Sequence, residues 1–255
     1  MNKVYASFGI RRGPITLEEG EYWGDDGIPR CQNCGGKRRT INPYDPNEWE
    51  HMMCDCQRAE FDKRQAEFKD RTSPNLLKES RLPQRYHSVK FGVKTIAQSK
   101  AYSDVVTDCT DYCTKGAQGK GVYLWGISGV GKTHIMACMI NELTARGQRC
   151  LFVTMSELAD IDNSWLKEKA KTVKYLFIDD LGAERIAKDS NRDTWMQSVT
   201  FEVINARYGR QLPTIFSSNY SMTDLAENKG LNERTISRMK EMCKIYHLQG
   251  DSFRK

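Results

Sequence analysis

The stretch that decides the fold of this chain is Gly126-Ile127-Ser128-Gly129-Val130-Gly131-Lys132-Thr133. It fits the pattern G-x-x-x-x-G-K-[ST] at every position. The apolar run 122–125 precedes it and a segment with helical spacing follows it, so strand, glycine loop and helix succeed one another. Glycines let successive backbone N–H groups turn toward one point, where the helix N-terminus adds its positive dipole end. The stretch therefore predicts a loop that binds phosphate groups.

The residues of this loop have expected roles in holding a nucleotide, although the loop alone does not distinguish ATP from GTP. We expect Lys132 to pair with the terminal phosphates and Thr133 to ligate a magnesium ion. The predicted nucleotide-binding residues are Gly126, Ser128, Gly129, Val130, Gly131, Lys132, Thr133 and His134.

Strand-like runs alternate with helical patterns on both sides of the loop. The predicted strands are 121–125, 150–154, 173–180, 214–219 and 244–248, and the predicted helices include 95–114, 131–146 and one that begins at Ser156. Strands that alternate with helices form parallel sheets with helices on both faces. The sequence therefore predicts a three-layer α/β fold, with Cys138 and Cys150 in its core.

Polar side chains stand where two of these strands end. Asp179 and Asp180 close the third strand, and Asn219 closes the fourth. Ligands of parallel sheets bind at the carboxyl ends of the strands, so we expect these side chains to face the phosphate loop. Asp179 is expected to hold the magnesium ion, through water, and Asp180 to orient or activate the attacking water. Asn219 is expected to contact the γ-phosphate or that water.

Two arginines lie one helical turn apart in the segment 232–240. Arg234 and Arg238 occupy one face of the helix predicted there. An arginine presented to the γ-phosphate of a neighbouring subunit stabilises the charge that develops during hydrolysis. A solvated basic helix face is the alternative interpretation.

Four cysteines in the first part of the chain have the spacing of a zinc site. Cys31 and Cys34 form a C-x2-C pair followed by two glycines, and Cys54 and Cys56 form a C-x-C pair after nineteen further residues. Two such pairs complete a tetrahedral set of thiolates, and the metal would supply much of the folding free energy of so short a domain. His51 is an alternative to one of the thiolates. A disulfide pair or unrelated thiols are the alternatives to a metal site.

A charged helix with a narrow apolar stripe is expected after the cysteines. Residues 57–71 place Phe61 and Phe68 seven positions apart among charged side chains. The stripe is expected either to pack on the rest of the chain or to bind a partner. Ser73 and Pro74 are expected to end the helix, which predicts two domains, 1–74 and 75–255.

The composition limits the class of protein. Of 255 residues, 39% are hydrophobic and 28% are charged, and no apolar run approaches the roughly 20 residues of a membrane span. No secretory signal is visible, so we expect a cytoplasmic protein, without membrane partners, whose nine cysteines are thiols or metal ligands. The formal net charge of +6 arises after residue 72 and suits a partner with phosphate groups, although a solvated surface gives the same value.

Taken in order, these motifs resemble a known family. They are C-x2-C-G-G, C-x-C, a helix, Leu82-Pro83-Gln84-Arg85-Tyr86, the phosphate loop, FIDDLGAE at 177–184, SSN at 217–219 and ERTISRM at 233–239. Over residues 31–255 the chain is similar to the DnaC/DnaI-type loaders of bacterial replicative helicases, a branch of the AAA+ ATPases. The resemblance implies an AAA+ P-loop sheet without a C-terminal lid domain, preceded by a small zinc-binding domain.

The resemblance also implies roles for single residues and for whole domains. Asn219 corresponds to the sensor-1 residue, Arg238, rather than Arg234, to the arginine finger, and Arg254 to sensor 2. The domain 1–74 would bind the hexameric replicative helicase. The ATPase domain would bind ATP, Mg2+ and single-stranded DNA, and copies of it would assemble into an open spiral through their ATP sites.

Two features depart from the family pattern. Asp180 stands where many AAA+ proteins have glutamate, and its side chain is one methylene shorter, so we expect slow hydrolysis. The connection between the second and third strands is short, and its candidate contacts to DNA phosphates are Lys167, Lys169, Lys171 and Lys174.

Three functions fit these expectations. The first is an ATPase that loads the replicative helicase onto single-stranded DNA. The second is an IstB-type transposition helper, which shares the ATPase core, although the zinc module argues against it. The third is a helicase-binding adaptor or inhibitor that binds ATP with little turnover.

Overall fold

Helix α1, Asp55–Glu79, connects two units of the chain, Met1–Phe68 and Lys69–Lys255. The computed structural model describes residues 16–41, 49–92, 100–117, 119–182, 190–227 and 231–253. The domain boundary predicted near residue 74 lies inside this helix rather than in a linker, and the functional division at that residue stays a prediction.

The first unit contains two short antiparallel hairpins. Strand β1, Glu21–Trp23, pairs with β2, Pro29–Cys31, and β3, Arg39–Ile41, pairs with β4, Trp49–His51. The Glu21 side chain is fully buried, and Arg39 Nη2 lies 3.3 Å from its Oε2. A buried carboxylate requires such a cationic partner, so this ion pair connects β1 with β3.

Helix α1 continues past the residues predicted to end it. Pro74 lies inside the helix, which ends only at Glu79. Proline removes one helical hydrogen bond, a cost that tertiary contacts can offset. Leu77 packs against the core of the second unit, and the Ser80 carbonyl accepts a hydrogen bond of 2.7 Å from Phe152 N–H. The predicted helix end is therefore wrong, because local propensity does not include these contacts.

The predicted apolar stripe of α1 is described only in part. The Phe61 side chain is 47% exposed, which leaves much of its ring in solvent. The side chain of Phe68 lies outside the described residues.

The second unit is built on a parallel sheet, which has five strands within the described ranges. They are β5, Gly121–Trp125; β6, Cys150–Thr154; β7, Tyr175–Leu181; β8, Thr214–Ser218; and β9, Cys243–His247. Their order across the sheet is β6-β7-β8-β5-β9. The five predicted strands are confirmed, with ends that shift by one or two residues.

Helices cover both faces of this sheet. They are α2, Lys100–Lys115; α3, Lys132–Ala145; α4, Met155–Ala159; α5, Ser164–Thr172; α6, Ser190–Gly209; α7, Met222–Glu227; and α8, Glu233–Met242. Along β5, Val122 and Leu124 lie in a core shared with α2 and α3, whereas Tyr123 lies in a second core with α4 to α8. This alternation is that of a strand covered on both sides, and the predicted three-layer fold is confirmed.

Individual parts of the sequence prediction agree with these elements. Cys138 and Cys150 are buried, as predicted. The helix predicted from residue 95 is described from Lys100, and residues 93–99 lie outside the described ranges. None of the helices that the structure describes is both long and apolar enough to cross a membrane.

Arg207 of α6 is a fully buried cation at the end of the sheet opposite the phosphate loop. Its guanidinium donates to the carbonyls of Ala170, Val173, Lys174 and Pro213 and to Thr214 Oγ1, at 2.6 to 3.3 Å. Burial lowers the pKa of Arg207 to about 9, which leaves it charged at neutral pH. One side chain thus joins α6 to the end of α5 and to the starts of β7 and β8.

Candidate nucleotide-binding site and metal centre

The phosphate loop leaves the carboxyl end of β5, and α3 begins directly after it at Lys132. Strands β7 and β8 end beside β5 at the same edge of the sheet. Asp179 and Asp180 end β7, and Asn219 follows β8, so all three side chains lie at the edge where the loop lies. This convergence arises from the parallel order of the strands.

Lys132 is buried, and its ammonium group is held by oxygen atoms of the loop. Its Nζ donates to the carbonyls of Gly126 and Ile127 at 2.8 and 2.9 Å and to Asn219 Oδ1 at 2.7 Å. The lysine and the predicted sensor residue are thus direct neighbours. Phosphate oxygens that enter the loop would compete with these acceptors for the ammonium protons.

Asp179 lies behind the loop, where it accepts two hydroxyl hydrogen bonds. Thr133 Oγ1 lies 3.1 and 3.2 Å from the two carboxylate oxygens, and Ser217 Oγ donates to Oδ1 at 2.5 Å. Burial raises the pKa of Asp179, because desolvation disfavours the charged form more than these hydrogen bonds favour it. The Thr133 hydroxyl and the Asp179 carboxylate together form the oxygen donor set that magnesium prefers.

Asp180 differs from its neighbour in exposure and in backbone conformation. Its φ is 53°, a left-handed conformation that aspartate tolerates better than most residues, and its side chain is exposed toward the cavity. Its N–H donates to Ser217 Oγ at 2.9 Å, where the pairing of β7 with β8 shifts register. Ser217 therefore contacts the Asp179 carboxylate and the Asp180 backbone, a role for which the sequence motif gave no signal.

A cavity of about 350 Å3 opens between the loop and the ends of the strands. Residues of the phosphate loop and of the strand ends line it, namely Ser128, Gly129, Gly131, Lys132, Thr133, Asp180 and Asn219. The lining also contains His134 and three aromatic residues, Tyr86, Tyr102 and Phe253. This volume falls in the range of small-molecule sites. The aromatic residues were not predicted, because they come from three separate segments with no shared local pattern.

His134 occupies the first turn of α3 beside this cavity. Burial lowers the pKa of His134, so its ring is neutral at physiological pH. Its buried Nε2 has no hydrogen-bond partner among the described residues.

Two of the candidate arginines, Arg234 and Arg238, do not line this cavity. Arg238 packs its guanidinium over the rings of Phe201 and Tyr208, 5.0 and 5.7 Å from their centroids. Arg234 is exposed in the first turn of α8. Arg254 lies outside the described residues.

The candidate lysines of the connection between β6 and β7 differ in their surroundings. Lys171 is held by Glu168 and Glu202 at 2.6 and 2.5 Å. Lys174 Nζ donates to the Gln148 side chain at 2.7 Å. Lys167 and Lys169 lie half-buried on α5. Their predicted contacts with DNA stay predictions.

The four cysteines predicted to bind zinc lie together in the first unit. The sulfur atoms of Cys31, Cys34, Cys54 and Cys56 all lie within 4.8 Å of one another. Two of the separations are 3.6 Å, from Cys31 to Cys56, and 3.2 Å, from Cys54 to Cys56. A tetrahedral zinc ion with bonds of about 2.3 Å needs sulfur atoms at such distances, so the donor set fits the metal.

Local hydrogen bonds prepare part of this set for metal binding. Backbone N–H groups of Asn33 and Cys34 lower the pKa of Cys31 to about 6, whereas hydrogen bonds with the neighbouring thiols raise the pKa of Cys56 to about 12. His51, the alternative ligand, is not part of the group, and its Nε2 lies 3.5 Å from the Glu18 carboxylate.

Comparison with known proteins agrees with the geometry of the second unit. Residues 106–245 match the family described as Novel STAND NTPase 3. The replicative helicase loader DnaI of Bacillus subtilis (strain 168) is 33% identical over 138 residues, which are 51% of this chain and 42% of DnaI. An insertion-sequence "putative ATP-binding protein" of Geobacillus stearothermophilus is 30% identical over 146 residues, 53% of this chain and 55% of that protein.

A solved structure extends the likeness to the coordinates. The crystal structure of a "putative primosome component" from Streptococcus pyogenes serotype M3 aligns with a TM-score of 0.57 and 27% identity, over 70% of this chain and 97% of the other. The predicted resemblance to DnaC/DnaI-type loaders and the predicted AAA+ fold are confirmed. The aligned part covers less than half of DnaI.

Proposed function

The chain belongs to the Novel STAND NTPase 3 family, and from this premise we propose that it is an ATP-dependent loader of the replicative helicase. It binds the hexameric helicase in the cytoplasm and delivers it to single-stranded DNA. The observation that carries the proposal is the convergence of Lys132, Thr133, Asp179, Asp180 and Asn219 in a chain similar to DnaI.

Each side chain of the cavity has a separate proposed role in ATP hydrolysis. Lys132 binds the terminal phosphates, and Asn219, already bonded to Lys132, contacts the γ-phosphate or the attacking water. Thr133 and Asp179 hold the magnesium ion, which neutralises the charge that develops on the γ-phosphate. Asp180, exposed in the cavity, orients that water. Because its side chain is short, turnover is slow and the site serves chiefly as a switch for assembly.

Self-assembly through the ATP sites is part of this proposal. Arg238 does not line the cavity of its own chain, as far as the described residues define it, so a contact with a γ-phosphate would be made in a neighbouring copy. In the single chain its guanidinium rests on two aromatic rings, which hold it near the surface of α8. Removal of Arg238 should therefore affect hydrolysis more than nucleotide binding.

The first unit is proposed to bind the helicase. Support comes from its exposed apolar side chains, which are Tyr22, Met52, Met53 and Phe61. Burial of these side chains against the helicase would remove apolar surface from water. The four cysteines are proposed to hold zinc and thereby to fix the hairpins, of which the first carries Tyr22 and the second leads into Met52 and Met53.

Size-exclusion chromatography with the hexameric replicative helicase of the same cell tests the loader proposal. We expect co-elution that depends on ATP, and loss of the ATP dependence in Lys132→Ala. Absence of co-elution both with and without ATP would exclude the loader function. Phosphate release stimulated by single-stranded DNA, and abolished by Lys132→Ala, would exclude an adaptor with little turnover.

A transposition helper is the second candidate, because the chain is 30% identical to the insertion-sequence protein over 146 residues. The cysteine cluster of the first unit favours the loader, as the sequence analysis predicted. Co-elution with a transposase encoded beside the gene, in place of the helicase, would select this second function.

A further inference from the structure

The segment 248–253, which follows β9, lies across the phosphate loop. Leu248 N–H donates to the Trp125 carbonyl at 2.7 Å, which continues the pairing of β9 with β5. Phe253 N–H then donates to the Gly129 carbonyl at 3.0 Å. Two main-chain hydrogen bonds therefore fix this segment, one before the loop and one at its centre.

The segment contacts the loop where glycine is required. Gly129 has φ of 87°, and a Cβ atom there would collide with the Ser252 hydroxyl. Gly131 has φ of 98°, and a Cβ atom there would lie 2.6 Å from the Tyr102 hydroxyl and 3.5 Å from the Phe253 ring. The two glycines thus admit neighbouring side chains as well as an unusual backbone conformation.

Tyr102 of α2 and Phe253 form an aromatic pair beside these glycines. Their ring centroids are 6.2 Å apart, and the planes meet at 68° in an edge-to-face contact. Tyr102 is 2% exposed, whereas Phe253 is 43% exposed, and both line the cavity that contains Lys132 and Thr133. The Phe253 ring therefore presents apolar surface to the cavity while Tyr102 supports it from behind.

We propose that Phe253 is a positioning residue whose ring packs against the base of the bound nucleotide, with Tyr102 as its support. The proposal rests on the proposed function of the site. With the phosphate groups at Lys132 and Thr133, the aromatic residues of the lining are left for the base, which is flat and polarisable. Binding removes the exposed face of Phe253 from water.

A purely structural role makes a different prediction. If Phe253 only packed on Tyr102 and held the loop, its loss would weaken binding of the phosphate groups as much as binding of the whole nucleotide. If Phe253 contacts the base, its loss should weaken binding of the nucleotide but not binding of the phosphate groups alone. Magnesium tripolyphosphate, which has the phosphates and no base, separates the two roles.

Isothermal titration calorimetry of the full chain with Mg-ATP and with Mg-tripolyphosphate tests the proposal. For Phe253→Ala we expect the dissociation constant of ATP to rise about fivefold or more, the range of base-to-aromatic stacking, and that of tripolyphosphate to stay within about twofold. Phe253→Tyr should bind ATP as the unchanged protein does. Ile245→Ala is the matched control, since Ile245 of β9 is 45% exposed and does not line the cavity.

The proposal would be overturned if Phe253→Ala bound ATP as tightly as the unchanged protein does. It would also be overturned if the variant lost as much affinity for tripolyphosphate as for ATP. Phe253→Leu provides a second, more conservative variant if the alanine variant does not fold. The proposal would also be overturned if Phe253→Leu had the melting temperature and the ATP affinity of the unchanged protein. Failure of the unchanged protein to bind ATP would instead refute the proposed function.

Discussion

Asp179 and Asp180 are adjacent in the chain but lie in opposite environments. Asp179 is buried under the hydroxyls of Thr133 and Ser217, whereas Asp180 is exposed in the cavity. Burial raises the pKa of Asp179. An unfolded chain therefore gives up this proton at lower pH than the folded one. Stability is lost as the pH rises from the ordinary value of about 4 through the raised folded pKa.

The variant Asp179→Asn should remove the free-energy cost of burying the ionised carboxylate at neutral pH. Without magnesium and nucleotide we expect it to be at least as stable as the unchanged protein at pH 7, by up to about 1 kcal/mol, with the difference disappearing near pH 4. Its magnesium-dependent hydrolysis should be lost. Urea unfolding at several pH values and phosphate release measure the two effects.

Asp180→Asn is the matched control for that experiment. Asparagine accepts the left-handed backbone that Asp180 adopts, and the exposed carboxylate has little desolvation cost to lose. Its stability should stay unchanged while hydrolysis falls. A marked loss of stability in Asp179→Asn, with Asp180→Asn unaffected, would mean that the two hydroxyl hydrogen bonds outweigh the burial of the charge.

Arg207 should be among the side chains most important for stability. Replacement by methionine leaves buried carbonyls without their donors, and we expect a loss of about 3 kcal/mol or more in the free energy of unfolding. Because the guanidinium stays charged up to a pKa of about 9, this loss should be the same at pH 6 and pH 8. Arg210→Met is the control, since Arg210 is exposed and its side chain donates to the Lys171 carbonyl at 3.1 Å. A similar loss in both variants would contradict the role given to Arg207.

The sequence predicts the residues of the phosphate loop and of the strand ends better than the aromatic residues that line the cavity. Lys132, Thr133 and Asp179 belong to short motifs whose spacing determines their position. Tyr102 and Phe253 meet across about 150 residues of chain, and no local pattern relates them. Contacts of this kind depend on the packing of α2 and on the course of the chain after β9.

At the scale of elements, the end of α1 shows where local reasoning fails. Arg81 ends this helical region with φ of 61°, a left-handed conformation that favours glycine. Its side chain offsets the strain by pairing with Glu157 at 2.7 Å and lying over the Trp165 ring. Sequence propensity put the helix end at Pro74, whereas the contacts of residues 77–82 with the rest of the second unit determine it.

Replacement of Arg81 separates backbone strain from side-chain contacts. Arg81→Ala removes the contacts and keeps the strain, while Arg81→Gly removes both. We expect the glycine variant to be more stable than the alanine variant by about 1 kcal/mol. Thermal unfolding of the two proteins side by side provides the measurement. An alanine variant as stable as the glycine variant would show that the left-handed conformation carries no cost here.

At the scale of the whole molecule, strand order and division into units follow different rules. Hydrophobic periodicity and turn residues predict each strand, but the place of β5 between β8 and β9 depends on how helices cross the sheet. The two units are held by different means. The second has two cores on a sheet, whereas the first has short hairpins and a cluster of four thiols. A domain whose described part has so little core would depend on the proposed zinc ion for stability.

Removal of the metal should therefore unfold the first unit and spare the second. The purified protein should contain about one zinc ion per chain. The variant Cys54→Ser should bind no zinc and should lack the early part of the thermal unfolding transition, while its affinity for ATP stays unchanged. Cys138→Ser is the control, because this buried thiol lies in the second unit and should leave the zinc content unchanged. Metal analysis, thermal unfolding and ATP titration supply the three readouts. Less than about half an equivalent of zinc, in protein prepared without chelator, would contradict ligation by four thiolates.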